Sequence, residues 1–186
     1  MPFALERELK LRFADAGVAR AAVAATGAVL RRARRLQQDA LLDTDDGLLR
    51  ASRSALRVRT EAGRSVLTFK GPVQPSAMKL REEIETDVTD GAALLSVLER
   101  LGFRVWFRYE KYREEFSLAA SIIAIDETPV GTFVEIEGDE ADVAAAAQAL
   151  GRTSADYLLD SYRGLFARRC EEQGVPFSDM LFPSQT

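Results

Sequence analysis

The sequence predicts an α+β fold in which helices cover an antiparallel sheet of about eight strands. Eight segments have the composition and alternation of strands, and turn-forming stretches such as EAGR at 61–64 and ETP at 127–129 separate several of them. Three amphipathic helical segments accompany the strands, two between them and one after the last. The chain of 186 residues is expected to form one domain over 1–186, because a chain of that length can bury a core of its own.

The strands are predicted over 3–13, 28–42, 54–60, 64–70, 79–88, 103–116, 116–126 and 129–138. The first contains ALERELKLRF, in which Glu6, Glu8, Lys10 and Arg12 occupy every second position and therefore share one face of an extended chain. The fifth begins at 79 because GPVQPSAM before it contains two prolines and predicts a loop. The turns between several neighbours favour antiparallel pairing.

Helices are predicted over 15–26, 90–101 and 139–150. Each segment has an aspartate near its start, where a side-chain oxygen can cap free backbone N–H groups. A glycine follows each segment and suits the left-handed residue that commonly ends a helix. A fourth helix is predicted over 154–172, and the tail GVPFSDMLFPSQT is expected to be irregular.

The charged face of the first strand recurs on later strands. The residues that share such faces are Arg57 with Arg59, Lys70, Arg81 with Glu83 and Glu85, Lys111 with Arg113, Asp126, and Glu135 with Glu137. One polar face is also usual for a solvated sheet. If the sheet closes with its helices outside, however, these charges face a lumen, where unpaired charges are costly. Phosphates would then suit the cations, and metal ions would suit the carboxylates.

Composition excludes several classes of function. The net charge of -4 and the pI near 5.1 give no basic field for nucleic acid, so a polyanionic partner is expected to be small. The absence of histidine removes Ser-His-Asp and Cys-His catalysis and most zinc sites. The sequence has neither a signal peptide nor an apolar run near the roughly 18 residues of a membrane span. With one cysteine, Cys170, the expected location is the cytoplasm.

In order along the chain, the motifs resemble those of the CYTH superfamily, the triphosphate tunnel metalloenzymes. The matching stretches are Glu6-x-Glu8-x-Lys10, LLDTDDGLL at 41–49, LRVR at 56–59, LTFKGP at 67–72, REEIE at 81–85, EKYR at 110–113, the acid Asp126, GTFVEIE at 131–137 and SYRGLF at 161–166. The resemblance implies a closed eight-stranded antiparallel β tunnel, or barrel, with a charged lumen and helices packed outside.

The same resemblance implies roles for individual residues. Four carboxylates match the metal ligands: Glu6, Glu8, Glu135 and Glu137. Glu83, Glu85 and Asp126 match acids with a catalytic role, either at a second metal ion or in positioning water. The residues that match the phosphate-binding cations are Lys10, Arg57, Arg59, Lys70, Arg81, Lys111 and Arg113. Mg²⁺ or Mn²⁺ is the expected cofactor, since both prefer oxygen ligands.

Divalent-metal-dependent hydrolysis of inorganic triphosphate, or of a small organic triphosphate such as thiamine triphosphate, is the first functional expectation. Phosphoryl transfer depends mainly on positioning and charge neutralisation, so the missing histidine is no obstacle. A class IV adenylate cyclase, which makes cyclic AMP from ATP, is the alternative within the superfamily. A non-catalytic polyphosphate-binding module is another alternative, although binding a polyanion alone would not require the carboxylates. No oligomeric state is predicted.

Other motif residues have structural interpretations. Asp43, Thr44 and Asp45 are expected to form a turn and a helix cap. Tyr162 is interpreted either as a buried helix aromatic or as a substrate contact. Trp106 and Phe107 are expected to be packing residues.

Overall fold

Eight antiparallel strands close into a barrel in the computed structural model of this chain, which describes residues 4–183. The strands are β1 (Ala4–Phe13), β2 (Val29–Thr44), β3 (Ala55–Glu61), β4 (Arg64–Lys70), β5 (Lys79–Val88), β6 (Phe103–Leu118), β7 (Ser121–Thr128) and β8 (Gly131–Glu137). Their order around the barrel is β1-β5-β4-β3-β2-β6-β7-β8, and β1 closes it by pairing with both β5 and β8. The predicted closed eight-stranded tunnel is confirmed.

The predicted strand boundaries agree with the structure except around β7. Residue 3, the predicted start of the first strand, lies outside the described residues. The sequence divides 103–126 at residue 116, whereas β6 runs to Leu118 and β7 begins at Ser121. A two-residue turn joins them, and Ala119 adopts a φ of 50° there. Alanine rarely occupies this left-handed region, so the turn lacks the glycine or asparagine that would have located it.

Helices pack on the outside of the barrel against the apolar faces of the strands. Within residues 4–183 the α-helices are α1 (Ala16–Ala25), α2 (Leu48–Ala51), α3 (Gly91–Arg100), α4 (Glu140–Ala149) and α5 (Tyr162–Gln173). Helices α1 and α4 cover β1, β7 and β8, with Val23 and Val143 packed on fully buried side chains such as Ile136. Helix α3 covers β3, β4 and β6 through a cluster that contains Leu98 and Val58. This outer packing leaves the charged face of every strand for the interior.

The caps of α1 and α3 follow the sequence pattern. Asp15 accepts a hydrogen bond from the Val18 N–H at 2.9 Å, and Asp90 accepts one from Ala93 at 2.9 Å. Each satisfies a donor that the first helical turn leaves unpaired. Asp139 occupies the corresponding position before α4 without such a bond, and it lies 3.8 Å from Arg7 on the outer face of β1.

The helix predicted over 154–172 is wrong in its first part. Residues Ser154–Asp156 form a single 3₁₀ turn, and α5 begins only at Tyr162, where Ser161 caps the Gly164 N–H at 3.1 Å. Between them the chain is extended, because the Leu158 N–H donates to the Lys10 carbonyl of β1 at 2.8 Å. This tertiary contact overrides the local helical preference.

Helix α5 and the tail after it cover one end of the barrel. The apolar cluster there combines Phe107 of β6 and Phe133 of β8 with Tyr162 and Leu165 of α5. Fully buried Met180 joins the same cluster and pairs with β6, since its N–H donates to the Arg108 carbonyl at 2.9 Å. The tail thus covers a stretch of β6 that lies beyond the reach of β7, which pairs with β6 from Tyr112 onward.

Across residues 4–183, the structure contains no helix both long and apolar enough to cross a membrane.

Candidate functional site

The interior of the barrel is a charged cavity of about 990 Å³. This volume lies at the upper end of the range for ligand pockets, roughly 300 to 1,000 Å³. The predicted site residues that line it are Glu6, Glu8, Lys10, Arg57, Arg59, Lys70, Arg81, Glu83, Glu85, Lys111, Arg113, Glu135 and Glu137. Asp126 is fully buried in the wall behind Lys111 and Arg113 and does not line the cavity.

Three carboxylates converge on one wall of the cavity. Glu6 and Glu8 lie two residues apart on β1, and Glu8 pairs in register with Glu137 on β8. One carboxylate oxygen from each of the three lies within 4.8 Å of the other two. Burial and the neighbouring acids raise the pKa of Glu137 to about 7, because both disfavour its ionised form. Such an all-oxygen set suits a hard divalent cation.

Glu83 lies next to the three-carboxylate cluster, and both Glu83 and Glu6 accept hydrogen bonds from Lys70. The Lys70 Nζ donates to both carboxylates, at 2.8 Å to Glu6 and 2.9 Å to Glu83. Burial and a hydrogen bond to Glu6 raise the pKa of Glu83 to about 8. Burial opposes the ionisation of Glu6, but that hydrogen bond and the charge of Lys70 hold its pKa well below the usual range. The pair therefore shares one proton near neutral pH.

Glu135, one of the four expected metal ligands, lies among cations and outside the three-carboxylate cluster. The Lys10 Nζ is 3.1 Å from its carboxylate, and Arg113 donates to the same group. Asp126 anchors these cations from behind, accepting from the Lys111 Nζ at 2.8 Å and from Arg113 at 2.7 and 2.6 Å. This side of the cavity consequently holds ammonium and guanidinium groups in fixed positions.

A second group of cations lies on β3. Arg59 donates to both oxygens of Asp39, at 2.9 and 3.3 Å, and the Nε of Arg57 lies 3.4 Å from the same carboxylate. Arg57 also donates to Thr68 at 3.0 Å and to Glu85 at 3.1 Å. Buried Asp39 on β2 and buried Thr68 on β4, together with the more exposed Glu85 on β5, therefore hold these guanidinium groups in place.

Burial changes the pKa of Lys111, one of the cations that Asp126 anchors. Desolvation, reinforced by the charge of Arg113, lowers the pKa of Lys111 to about 8. A bound polyanion would raise this pKa again, because an adjacent negative charge favours an ammonium group.

The sequence patterns did not identify Lys79 or Asp39 as site residues, and they left the position of Tyr162 open. Lys79 is buried in the cavity wall and donates to Glu8, and its two-residue spacing from Arg81 could have identified it. Asp39 lies two residues from Leu41, which lines the cavity, so the same two-residue spacing could have placed Asp39 on the inner face of β2. Tyr162 lines the cavity and donates to Asp126 at 2.7 Å, while the Lys10 ammonium lies 4.4 Å from its ring centroid. That placement depends on how α5 covers the barrel, which local sequence does not encode.

Asp43 and Thr44, at the end of β2, have the capping role expected of them. The Asp43 carboxylate accepts hydrogen bonds from the Leu49 and Arg50 N–H groups at 2.9 and 3.0 Å, and the Thr44 hydroxyl accepts from Leu48 at 3.1 Å. Phe107 is buried, as expected of a packing residue, whereas Trp106 lines the cavity as well as contacting the apolar cluster. Trp106 therefore packs as expected and also lines the cavity.

Comparison with known families and proteins accords with this architecture. A profile described as the CYTH domain matches residues 4–162. A relative from Methanocaldococcus jannaschii, provisionally named an adenylate cyclase, is 31% identical over 111 residues, which cover 59% of this chain. The matched region spans 63% of that relative's length.

Several solved structures share the fold. A protein of Vibrio parahaemolyticus, also provisionally named an adenylate cyclase, is 24% identical with a TM-score of 0.76, over 89% of this chain and 99% of that one. A Pyrococcus horikoshii protein is 25% identical with a TM-score of 0.73, over 88% and 99% of the two chains. A Hippeastrum protein, described as having a dominant triphosphatase activity, is 18% identical with a TM-score of 0.62, over 93% and 97%.

Proposed function

This chain belongs to the CYTH domain family, and from that premise we propose that it is a divalent-metal-dependent triphosphatase. Its proposed substrate is inorganic triphosphate or a small organic triphosphate such as thiamine triphosphate. The observation that carries the proposal is the meeting of three carboxylates with two groups of fixed cations in one cavity of about 990 Å³. A polyanion alone would need the cations, whereas the carboxylates need a metal ion.

We propose Glu6, Glu8 and Glu137 as the principal ligands of Mg²⁺ or Mn²⁺. Their oxygens lie close together, and the raised pKa of Glu137 reflects negative charge that a cation would neutralise. Glu135 is next to this cluster on β8, and we propose that it supports the metal from the side of the cations. When bound, the ion would neutralise phosphate charge and favour ionisation of a water molecule.

The remaining side chains have proposed roles in binding and proton transfer. Lys10, Lys111 and Arg113 on one side would hold phosphate oxygens, as would Arg57 and Arg59 on β3. Lys70 and Arg81, now paired with Glu6, would contribute from β4 and β5. Glu83 is the candidate to orient the attacking water, and its pKa of about 8 means that its capacity to accept the proton should increase toward alkaline pH. Glu85 positions Arg57, and Asp126 positions Lys111 and Arg113.

Cyclisation of ATP is a second candidate, supported by the provisional name of the M. jannaschii relative. The two reactions share the phosphate-binding groups and differ in the nucleophile, which is water for the triphosphatase and a ribose hydroxyl for the cyclase. The reaction product therefore distinguishes them.

A substrate panel with Mg²⁺ or Mn²⁺ tests the proposal. Inorganic triphosphate, thiamine triphosphate and ATP are assayed at neutral and alkaline pH for released phosphate and for cyclic AMP. We expect phosphate release that a chelator abolishes. Cyclic AMP as the main product would establish the second candidate, and metal-independent turnover would remove both.

A matched pair of variants tests the metal site. Glu137→Gln preserves the size of the side chain but removes the charge, so metal-dependent turnover should fall by at least tenfold. Glu99→Gln makes the same change on the exposed face of α3 and should leave turnover unchanged. Wild-type activity in Glu137→Gln would place the metal elsewhere.

A further inference from the structure

A β-bulge directs the side chain of Trp106 into the mouth of the cavity. The register between β2 and β6 shifts at this point, with Leu41 opposite Phe107 and Leu42 opposite Val105. Trp106 is thus the extra residue, and a bulge of this kind redirects a side chain that regular alternation would place outside. Trp106 lines the cavity beside Leu41, which also pairs with Arg57 on β3. The indole therefore lies one strand away from the proposed phosphate-binding guanidinium groups.

Two arginines flank the indole ring. The Arg50 guanidinium lies 4.7 Å from the ring centroid, and the Arg163 guanidinium lies 5.4 Å from it. Arg50 is fixed, because its Nε donates to the buried Asp43 at 2.9 Å. Arg163, in the first turn of α5, forms no ion pair with any residue from 4 to 183. It can therefore leave the ring or stack on a ligand that replaces it.

We infer that Trp106 is a specificity-determining residue that stacks on a neutral heteroaromatic ring attached to the triphosphate, as in a nucleoside triphosphate. This inference rests on the proposed function, since it places the phosphates on the cations of the barrel. An indole at the cavity mouth offers a flat apolar surface for a base, and base–aromatic stacking tolerates different bases. Inorganic triphosphate cannot use that surface.

The charge of the mouth favours a neutral ring over a cationic one. Arg50 and Arg163 lie next to the indole ring, and Arg53 also lines the cavity. A thiazolium ring stacked on Trp106 would place its positive charge beside these guanidinium groups, which repel it. A nucleobase carries no such charge, and a guanidinium group can stack on its outer face. Among organic triphosphates, the site should therefore prefer nucleotides to thiamine triphosphate.

Binding in chelator tests the inference without any need for turnover. Trp106 is the single tryptophan of the chain, so its fluorescence reports on this site alone. ATP should quench it strongly, whereas inorganic triphosphate should leave it nearly unchanged. By calorimetry, Trp106→Ala should weaken ATP binding by about 5- to 150-fold and leave inorganic triphosphate binding unchanged. Trp106→Phe should retain most of the ATP affinity.

The control is Leu101→Ala, which shortens an exposed apolar side chain outside the cavity and should alter neither affinity. Equal effects of Trp106→Ala on ATP and inorganic triphosphate would overturn the stacking role, as would unchanged affinity for both. Thiamine triphosphate binding as tightly as ATP would overturn the preference for a neutral ring. If no triphosphate is turned over although the binding results hold, the proposed function fails and the inference about Trp106 stands.

Discussion

At the residue scale, Asp39 and Arg59 show how one contact serves both the fold and the site. Arg59 makes a two-point contact with Asp39, whose side chain is fully buried. Arg59→Ala should lower kcat/KM. The corresponding loss of transition-state stabilisation should be about 2 to 4 kcal/mol, the size typical of one lost preorganised charge contact. The substitution should also lower the free energy of unfolding by about 1 to 3 kcal/mol, because Asp39 would retain only the longer contact with Arg57.

Steady-state kinetics and urea denaturation measure these two effects. Arg100→Ala, on the exposed end of α3, is the matched control and should change neither quantity. An unchanged kcat/KM in Arg59→Ala would remove this residue from the site.

Lys111 should link triphosphate binding to proton uptake. Its pKa of about 8 in the folded protein lies below the roughly 10.4 of an unfolded lysine. Between these values the unfolded chain binds more protons at this group, so its contribution to stability rises with pH across that window. A bound triphosphate should raise the pKa again, and binding at about pH 9 should therefore take up protons.

Calorimetry at that pH in two buffers with different ionisation enthalpies measures the uptake. Lys111→Arg keeps the positive charge but remains protonated, so the buffer dependence should disappear. Undiminished uptake in that variant would assign the proton to another group.

Much of the candidate site was predictable from single residues at period two. Glu6, Glu8, Arg57 and Arg59 were all identified in this way, and all line the cavity. Trp106 was not identified in this way, because the bulge breaks the alternation. The position of the bulge is set by the register between β2 and β6. Side-chain pairing was equally unpredictable, since the position of Glu135 among cations follows from the closed barrel.

At the element scale, the tail supports β6 along a stretch that has no partner in β7. Met180 is fully buried and exchanges backbone hydrogen bonds with β6, whereas neighbouring Leu181 is 44% exposed. Met180→Ala should therefore lower the free energy of unfolding by about 2 to 5 kcal/mol. Leu181→Ala should change it by less than about 0.5 kcal/mol. Denaturant unfolding of both variants provides the comparison, and equal effects would mean that the tail does not support the barrel.

The secondary-structure elements were predictable where caps and turns carry local signals. Gly27, Gly102 and Gly151 each adopt a positive φ directly after a helix, as the pattern indicated. The segment before α5 was mispredicted because its conformation depends on a bond between Leu158 and β1, far away in sequence. Long-range contacts of this kind leave no periodic pattern.

At the scale of the whole molecule, the opposing charges of the lumen predict that metal and triphosphate bind cooperatively. In the structure, Glu6 pairs with Lys70 and Glu8 pairs with Lys79. A divalent ion on these carboxylates would release the ammonium groups for phosphate. Each ligand should then strengthen binding of the other by about 5- to 150-fold, equally in both directions.

Urea unfolding with Mg²⁺, with triphosphate and with both measures this coupling, after correction for pairing of the ligands in solution. The stabilisation by both should exceed the sum of the separate effects. Glu137→Gln should abolish the excess, and Glu99→Gln should preserve it. Simple additivity in the wild type would show that the two ligands bind independently.

The closure of the barrel by β1 has a consequence for the order in which the chain folds. β1 is the first strand of the barrel in chain order, yet one of its two partners, β8, is the last strand of the barrel in the described residues. Pairings so distant in sequence form slowly, because a long loop must close first. Glu6 and Glu8 meet Glu137 only through that pairing. A nascent chain that ends before β8 would lack the complete cluster, so tight cation binding would mark the closure of the barrel.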